Sequence, residues 1–424
     1  MASAVYDVPA GTPLVVRTSE LDRPDPTASL LDLLPADEPV TWVRQGEGLV
    51  GWGVAARVRT RGAERFQAAD AWWRSVVDGA VVRDEMRVPG SGLVAFGSFA
   101  FADDPGESVL VVPKVVVGRR HHHGVLRSWV TVVGSGRLPD AARLRAAEPA
   151  VAPRGVRYAD GALSGGQWSA AVEEAVRRIG NGDLEKVVLA SDLVAHVSSP
   201  IDPRWPVRRL ADAYHGCWTY HVDGLLGATP EMLVRRERGL VTSRVLAGTI
   251  RRTGDDQHDL ALAGALARSS KDLEEHEYAV RSVAHALAPH CSTMFVPEAP
   301  FVLHLPNVMH LATDVTGVLQ DRTGSLALAA ALHPSAAVGG TPTPAALDLI
   351  AELEPIGRGR YAAPVGWIDA DGDGEWGLAL RCGQLEGDRI RLFAGCGIVA
   401  GSRADAELAE AHAKLVPIRD ALGG

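Results

Sequence analysis

Three charged side chains near the C-terminus are spaced as on one face of a helix, in the segment ADAELAEAHAKL. Glu407, Glu410 and Lys414 are three and four residues apart, a spacing that brings side chains together on a helix. Asp272 and Glu275, in SSKDLEEHEYAV, repeat the spacing of three. Most such pairs face water, but four carboxylates that converge repel one another unless a cation lies between them. Hard oxygen ligands without cysteine or clustered histidine would favour Mg²⁺.

Lys186 and Glu231 are candidates for acid/base chemistry. Lys186 lies in the apolar pattern EKVVLAS, where burial would lower its pKa from about 10.4 towards neutrality, as a general base requires. Glu231 follows a Thr-Pro turn and begins a strand, where its carboxyl group would be held and partly buried. This pair would suit the addition of water with loss of hydroxide. The alternatives are a lysine that reaches solvent from an edge strand and a glutamate at an exposed strand end.

The composition indicates a globular protein. The 424 residues are 46% hydrophobic and 22% charged, which is enough to bury one large core or two smaller ones. The formal net charge is -9 and the basic residues are scattered, which argues against a nucleic-acid-binding surface. A small anionic substrate would need a local basic pocket.

Cysteine spacing and hydropathy favour a cytoplasmic protein. We expect free buried thiols, as in a reducing compartment, because no metal-ligand spacing links Cys217, Cys291, Cys382 and Cys396. The first residues lack the pattern of a signal peptide, and no stretch reaches the roughly 20 apolar residues of a membrane span. The adjacent histidines 121–123 have no distant partner ligand and are expected to be solvated.

Two portions of the chain differ in their predicted secondary structure. Residues 1–155 have the pattern of short strands separated by Gly, Pro and Asp turns, with one helix in AERFQAADAWWRSVVDGA. Residues 146–166 are rich in Ala, Pro and Gly without a clear period, which predicts a connecting segment. We therefore expect a strand-rich N-terminal portion, residues 1–155, and a catalytic portion, residues 156–424.

The second portion alternates helical and strand patterns. Periodicity predicts helices in WSAAVEEAVRRIG, in VRRLADAY and around residues 256–269 and 272–289. Long strands are predicted between and after them, and turns such as DGDGE and LEGDR favour hairpins with antiparallel pairing. The predicted fold class is α+β, with large antiparallel β-sheets packed together and helices on the outside.

The chain resembles the chorismate-utilising enzymes from about residue 160 to residue 420, where eight segments occur in the order and approximate spacing of that family. They are GDLEKVVLAS, GATPEMLV, RVLAGTIRR, SSKDLEEHEYAV, VMHLATDVTG, LHPSAAVGGTP, GRYAAPVGW and RLFAGCGIV with AELAEAHAKL. The family comprises isochorismate, salicylate, anthranilate and aminodeoxychorismate synthases. The first 150 residues match the family only in their general pattern of short strands and turns. The resemblance implies the family's fold and a Mg²⁺-dependent site for the dicarboxylate chorismate.

The resemblance also implies a role for each matching residue. The metal ligands would be Glu275 and Glu410, with Asp272 and Glu407 as outer carboxylates. The groups around the reacting ring would be the base Lys186, the acid Glu231 and His310. The substrate-binding residues would be Gly248, Thr249, Ala337, Tyr361, Arg381, Gly395, Gly397 and Lys414.

Two positions favour one activity within the family. Lysine at 186 is typical of members that add water, whereas the ammonia-using anthranilate enzymes usually have glutamine there, so no glutaminase subunit is expected. Ala337 lies where members that eliminate pyruvate often carry threonine. The resemblance therefore favours a monomeric isochorismate synthase, which adds water at C2 of chorismate and removes the C4 hydroxyl reversibly. Salicylate synthase and a non-catalytic chorismate-binding paralogue are the alternatives, and the pathway, to menaquinone or to a siderophore, stays open.

The chain departs from the family directly after the KVVLA strand motif. The family often has arginine there, whereas this chain has Ser191 followed by Asp192. We therefore expect a structural ion pair of the family to be missing at this place, without loss of activity.

Overall fold

The computed structural model describes residues 5–7, 13–21, 28–104, 106–137, 144–306, 308–355 and 357–423. The strands in these ranges are β1 (Val5–Asp7), β2 (Leu14–Glu20), β3 (Val40–Arg44), β4 (Glu47–Thr60), β5 (Val81–Asp84), β6 (Val94–Ser98), β7 (Ser108–His122), β8 (Val125–Ser135), β9 (Arg157–Asp160), β10 (Lys186–His196), β11 (Trp218–Val222), β12 (Leu225–Thr229), β13 (Met232–Glu237), β14 (Leu240–Arg251), β15 (Cys291–Phe295), β16 (Phe301–His304), β17 (Val308–Leu319), β18 (Gly340–Thr341), β19 (Pro364–Asp369), β20 (Gly374–Leu378), β21 (Cys382–Glu386) and β22 (Arg389–Ile398). The α-helices are α1 (Arg65–Gly79), α2 (Gly165–Gly180), α3 (Arg204–Ala213), α4 (Asp256–Leu266), α5 (Ser270–Leu287), α6 (Ser325–Leu332), α7 (Thr343–Leu353) and α8 (Ala404–Ala421).

These strands join into one hydrogen-bonded network. Its longest ladders, β4 with β7, β14 with β17 and β10 with β22, are antiparallel. The hairpins predicted from the DGDGE and LEGDR turns are present as β19–β20 and β21–β22. β2 and β5 form a parallel pair. The predicted α+β class with large antiparallel sheets is confirmed.

Helices cover the network where the candidate site residues lie. α5 packs against β14 and β17, and α8 packs against β22. The Ser269 hydroxyl caps α5 by accepting a hydrogen bond from the N–H of Asp272. Both predicted carboxylate pairs are on helices, with Asp272 and Glu275 on α5 and Glu407 and Glu410 on α8.

Strand pairing crosses the predicted boundary at residue 155. β3 pairs with β11, and β6 pairs with β19. Side chains also meet there: the Trp42 indole N–H donates to Glu375 Oε2 at 2.7 Å, and the Phe99 ring meets Trp376 edge to face. The N-terminal portion therefore supplies strands and core residues to the same network as the C-terminal portion.

The predicted connecting segment contains regular structure that its composition did not indicate. β9 lies inside it and pairs antiparallel with the last four residues of β10. A four-residue strand is too short to show a period, and its partner comes from elsewhere in the chain. α6 and α7 likewise form where the sequence pattern predicted no helix.

Three of the four cysteines are buried free thiols, as expected, and the adjacent histidines lie at or near the surface. All four cysteines are free, and Cys291 is less buried than the other three. His121 Nδ1 lies 2.7 Å from Glu47 Oε1 near the surface, and no potential metal-ligand group in the described ranges includes these histidines. Within those ranges, no helix is both long and apolar enough to cross a membrane.

Candidate active site

Most of the predicted site residues line one cavity, which is bounded by β10, β14, β17 and β22 and by helices α5 and α8. The predicted residues on its wall are Glu231, Gly248, Thr249, Glu275, His310, Ala337, Tyr361, Arg381, Gly395, Gly397, Glu410 and Lys414. The remaining three predicted residues, Lys186, Asp272 and Glu407, lie behind the wall and close to residues that form it. The fold therefore brings the predicted set into one region.

Gly395 and Gly397 of β22 present bare backbone to the cavity. A Cβ atom on Gly397 would lie 2.2 Å from Glu275 Oε1 and 3.1 Å from Lys186 Cε. A Cβ atom on Gly395 would lie 2.9 Å from the Tyr361 hydroxyl oxygen. Glycine is thus needed where α5 and the lysine approach this strand, and it leaves room for an anion beside the backbone.

Lys186 is fully buried at the first position of β10. Its Nζ atom lies 3.1 Å from Glu275 Oε1, although the angles there do not make a hydrogen bond. The alternative of an edge-strand lysine that reaches solvent is therefore wrong. The fold therefore places a buried lysine beside a glutamate of the cavity wall.

Glu231 is buried between β12 and β13. Its backbone N–H donates to the Thr229 hydroxyl at 3.2 Å, which holds the turn, and its carboxylate receives only a long contact of 3.5 Å from the Leu246 N–H. Burial raises the pKa of Glu231 to about 7, and the Leu246 N–H and the Lys186 side chain oppose this rise. The group can therefore gain or lose a proton near neutral pH.

His310 is held as one neutral tautomer. Its Nε2 atom lies 3.2 Å from Arg381 Nη2, and because arginine only donates, Nε2 accepts. The proton is then on Nδ1, which faces the Thr249 hydroxyl at 3.1 Å and the Gly248 carbonyl at 3.4 Å. Burial, with Arg381 and Lys414 nearby, holds the pKa of His310 well below its ordinary value. This histidine orients the arginine rather than adding a second positive charge.

Lys414 gives the cavity a fixed positive charge. Its Nζ atom lies 2.6 Å from Glu410 Oε1 and donates to the Gly395 carbonyl at 2.9 Å. Burial lowers the pKa of Lys414, but the Glu410 carboxylate outweighs this effect and the pKa is raised. The Tyr361 ring stacks on Phe393 with centroids 5.1 Å apart, and burial raises the pKa of its hydroxyl, which therefore stays a hydrogen-bond donor.

Carboxylates gather at the helical side of the cavity. Glu275 and Glu410 lie on its wall, and Asp272 packs against the backbone of β14 behind it. Ligand atoms of Glu407, Glu410 and Cys396 lie within 4.8 Å of one another. The two carboxylates of this group come from α8 and the third member is a thiol, while Glu275 of α5 lies beside Lys186. The carboxylates of Glu275 and Glu410 are oxygen donors of the kind that Mg²⁺ prefers.

Sequence reasoning missed the apolar part of the wall and a buried ion pair behind it. The additional wall residues are Val188, Pro230, Leu246, Ala247, Val338, Ala362 and Leu380. The ion pair joins Glu354 and Arg358, both almost fully buried. A pair of opposite charges four residues apart in the Gly-rich stretch LEPIGRGRYAAPVGW was the available signal.

An ion pair is present at the place where the chain departs from the family. Asp192 is buried, and its Oδ2 atom lies 2.6 Å from Arg391 Nε on the neighbouring strand β22. The part of β10 that follows the KVVLA motif is therefore linked to β22 by an ion pair between Asp192 and Arg391.

Comparisons with known proteins show similarity to one enzyme family. The family model of the chorismate binding enzymes matches residues 10–423. The salicylate biosynthesis isochorismate synthase of Pseudomonas aeruginosa is 34% identical, over 96% of this chain and 90% of its own length. Isochorismate synthase MenF of Bacillus subtilis is 37% identical over 61% of this chain, a match that spans only 55% of that relative. The solved menaquinone-specific isochorismate synthase MenF of Escherichia coli shares the fold, with a TM-score of 0.77 at 24% identity over 98% of this chain and 96% of its own. The chain belongs to the chorismate-binding enzyme family.

Proposed function

We propose that this protein is an isochorismate synthase, which interconverts chorismate and isochorismate with the aid of Mg²⁺. The observation that carries the proposal is a buried lysine, Lys186, and a buried carboxyl group, Glu231, in the same cavity region. The pKa of about 7 lets Glu231 both donate and accept a proton near neutral pH. Relatives named isochorismate synthase support the same activity.

The charges of the cavity suit a substrate with two carboxylates. Arg381 and Lys414 supply positive charge for one carboxylate, and the Tyr361 hydroxyl supplies a further donor at that end. Mg²⁺, held by Glu275 and Glu410, would neutralise the second carboxylate. Asp272 and Glu407 would bind its water ligands.

Two proton transfers by this chain's residues complete the reaction. Lys186 takes a proton from the water whose oxygen adds to C2 of the ring. Both ring double bonds shift, from C1=C2 to C1=C6 and from C5=C6 to C4=C5, the C4–O bond breaks, and Glu231 gives its proton to the hydroxyl group, which leaves as water. One water enters and one leaves, so substrate and product are isomers. The reverse reaction uses the same two residues with their roles exchanged.

The alternatives differ in the fate of isochorismate. A salicylate synthase would go on to eliminate pyruvate, and a small residue at Ala337 favours the enzyme that stops earlier. A non-catalytic paralogue would bind chorismate without turnover, and the buried Lys186 and Glu231 argue against it. We further propose a monomer that uses water without an ammonia-supplying subunit.

The deciding experiment is product analysis of the purified protein with chorismate and Mg²⁺. Chromatography would detect isochorismate and salicylate, and coupling to lactate dehydrogenase would detect pyruvate. We expect isochorismate with little pyruvate, and loss of turnover in Lys186→Ala. Stoichiometric pyruvate would favour the salicylate synthase, and unchanged chorismate would favour the non-catalytic paralogue.

The metal is tested by removing one ligand at a time. Glu275→Gln and Glu410→Gln are each expected to raise the Mg²⁺ concentration required for half-maximal turnover by roughly tenfold or more, because a charged oxygen ligand is lost. Glu277→Gln, an exposed position on the same helix as Glu275, is the matched control. Full turnover in excess chelator would exclude the metal.

A further inference from the structure

β10, the strand that carries Lys186, lacks a neighbouring strand along part of one edge. On that edge it pairs with β18 at Lys186 and Val187, and with β9 from Leu193 to its end. Buried backbone N–H and C=O groups between these two strands need other partners, because unpaired ones destabilise the fold. This gap lies directly beside the cavity wall.

A buried ion pair fills the gap. Arg358 Nη2 and Nε donate to the two carboxylate oxygens of Glu354 at 2.6 and 2.8 Å. Arg358 Nη2 also donates to the Val188 carbonyl at 2.7 Å, and Glu354 Oε1 accepts from the Ala190 N–H at 2.6 Å. The Trp168 indole N–H donates to the Ala190 carbonyl at 3.0 Å. Side chains thus take the place of a strand along this edge.

The same guanidinium group reaches a second part of the cavity wall. Arg358 Nη1 donates to the Val338 carbonyl at 2.8 Å. Val338 follows Ala337, and both line the cavity, as does Val188 of β10. One side chain therefore joins the strand of the proposed base to the segment that carries Ala337, the residue proposed to decide the product.

We propose that Glu354 and Arg358 are positioning residues, which hold β10 and the Ala337–Val338 wall in register and so keep isochorismate from losing pyruvate. This inference rests on the proposed function. A planar guanidinium group donates in several fixed directions at once, and a lysine ammonium group cannot reproduce that geometry. The Phe101 ring lies 4.2 Å from the guanidinium carbon and covers it.

The test compares Arg358→Lys and Glu354→Gln with Arg236→Lys. Arg236 is also buried, is paired with Asp373 and donates to the Asp371 carbonyl, but it does not line the cavity, so it controls for the loss of a buried guanidinium group. Three quantities would be measured: kcat and KM, the ratio of pyruvate to isochorismate, and amide hydrogen exchange of residues 186–192 and 335–340. The product ratio does not depend on the fraction of folded enzyme.

For Arg358→Lys and Glu354→Gln we expect kcat to fall roughly tenfold or more with a smaller change in KM, because misplacement by about 1 Å strongly slows reactions. We also expect the pyruvate ratio to rise and exchange in both segments to accelerate. Arg236→Lys is expected to lower thermal stability only. An unchanged product ratio and unchanged exchange in both test variants would overturn the proposal.

The exchange measurement separates this inference from the proposed function. If the unmodified protein forms no isochorismate, the proposed function fails, and the exchange data alone decide whether the ion pair positions the two wall segments. Faster exchange in both segments in the Arg358 and Glu354 variants, with the Arg236 variant unchanged there, would support positioning. Should one test variant fail to fold, the other decides the outcome.

Discussion

The fold shifts the pKa values of the carboxyl groups of Glu231 and Asp259 in opposite directions. Glu231 is buried with one long backbone contact, and its pKa is raised to about 7. Asp259 accepts short hydrogen bonds from the Thr253 N–H and from Arg252, and the pKa of Asp259 is lowered to about 2, chiefly by the Thr253 N–H. Burial is the main cause that raises the pKa of Glu231, whereas direct donors to the charged form lower the pKa of Asp259.

The titration of Glu231 predicts how ligand binding depends on pH. Below pH 7 its carboxyl group is mostly neutral, and above pH 7 it is mostly anionic and repels an anionic ligand. The dissociation constant of an unreactive ring dicarboxylate such as isophthalate should therefore rise between about pH 6 and about pH 8, by at most about tenfold per pH unit. Calorimetry would measure it. The Glu231→Gln variant should lack most of this rise, and an equal rise in both proteins would contradict the assignment.

Ala337 is the residue at which the product is expected to be decided. It lies on the cavity wall beside Val338, and a threonine there would add bulk and a hydroxyl group to the pocket. We expect Ala337→Thr to increase the fraction of pyruvate, because small displacements of the enolpyruvyl group change its rate of elimination greatly. The lactate dehydrogenase assay, run beside chromatography of isochorismate, measures this fraction. An unchanged fraction in an active variant would show that another residue controls the outcome.

At the scale of elements, β22 and the two carboxylate helices depend on one another. α5 and α8 each bring a glutamate to the cavity. There is room for the two side chains beside β22 because Gly395 and Gly397 have no side chains. The predicted glycine-rich strand and the predicted acidic helix surfaces are thus parts of one arrangement.

Gly397→Ala is the sharpest test of this arrangement. Its Cβ atom would lie 2.2 Å from Glu275 Oε1, so the glutamate must move away from the strand. We expect turnover to fall by roughly a hundredfold and the Mg²⁺ concentration for half-maximal turnover to rise, since a proposed ligand is displaced. Gly401→Ala, where a Cβ atom meets nothing within 4 Å, is the control and should keep its activity. Equal activity of both variants would mean that Glu275 tolerates displacement.

At the scale of the whole molecule, the two portions share one strand network. β11 and β19 of the C-terminal portion pair with β3 and β6 of the N-terminal portion. Phe101 of the N-terminal portion also covers the guanidinium group of Arg358. The N-terminal portion therefore supports the catalytic portion directly, including a residue close to the cavity wall.

This sharing predicts that residues 156–424 expressed alone will not fold to a stable unit. Two strands would lose their partners and apolar core surface would be exposed. Circular dichroism and size-exclusion chromatography of the fragment should show aggregation or loss of cooperative unfolding, and co-expression with residues 1–155 should restore a folded complex. A monomeric fragment with cooperative unfolding would show that the two portions are independent domains.

The sequence alone was sufficient for features that depend on nearby residues. Helix spacing placed the carboxylate pairs on α5 and α8, turn residues predicted the hairpins, and the ordered motifs identified the family. These signals are local, because helix and hairpin formation depend on residues a few positions apart. The chemical roles of the site residues remain predictions.

Only the tertiary structure decided which charged groups are buried and what they contact. The pattern around Lys186 allowed an exposed edge lysine, and burial beside Glu275 depends on the packing of α5 against the sheet. The charged pair Glu354 and Arg358 is visible in the sequence, but its contacts with β10 could not be predicted, because these partners lie far away in sequence. Contacts between distant segments set desolvation and hydrogen bonding, and these in turn set the proton affinity and orientation of each group.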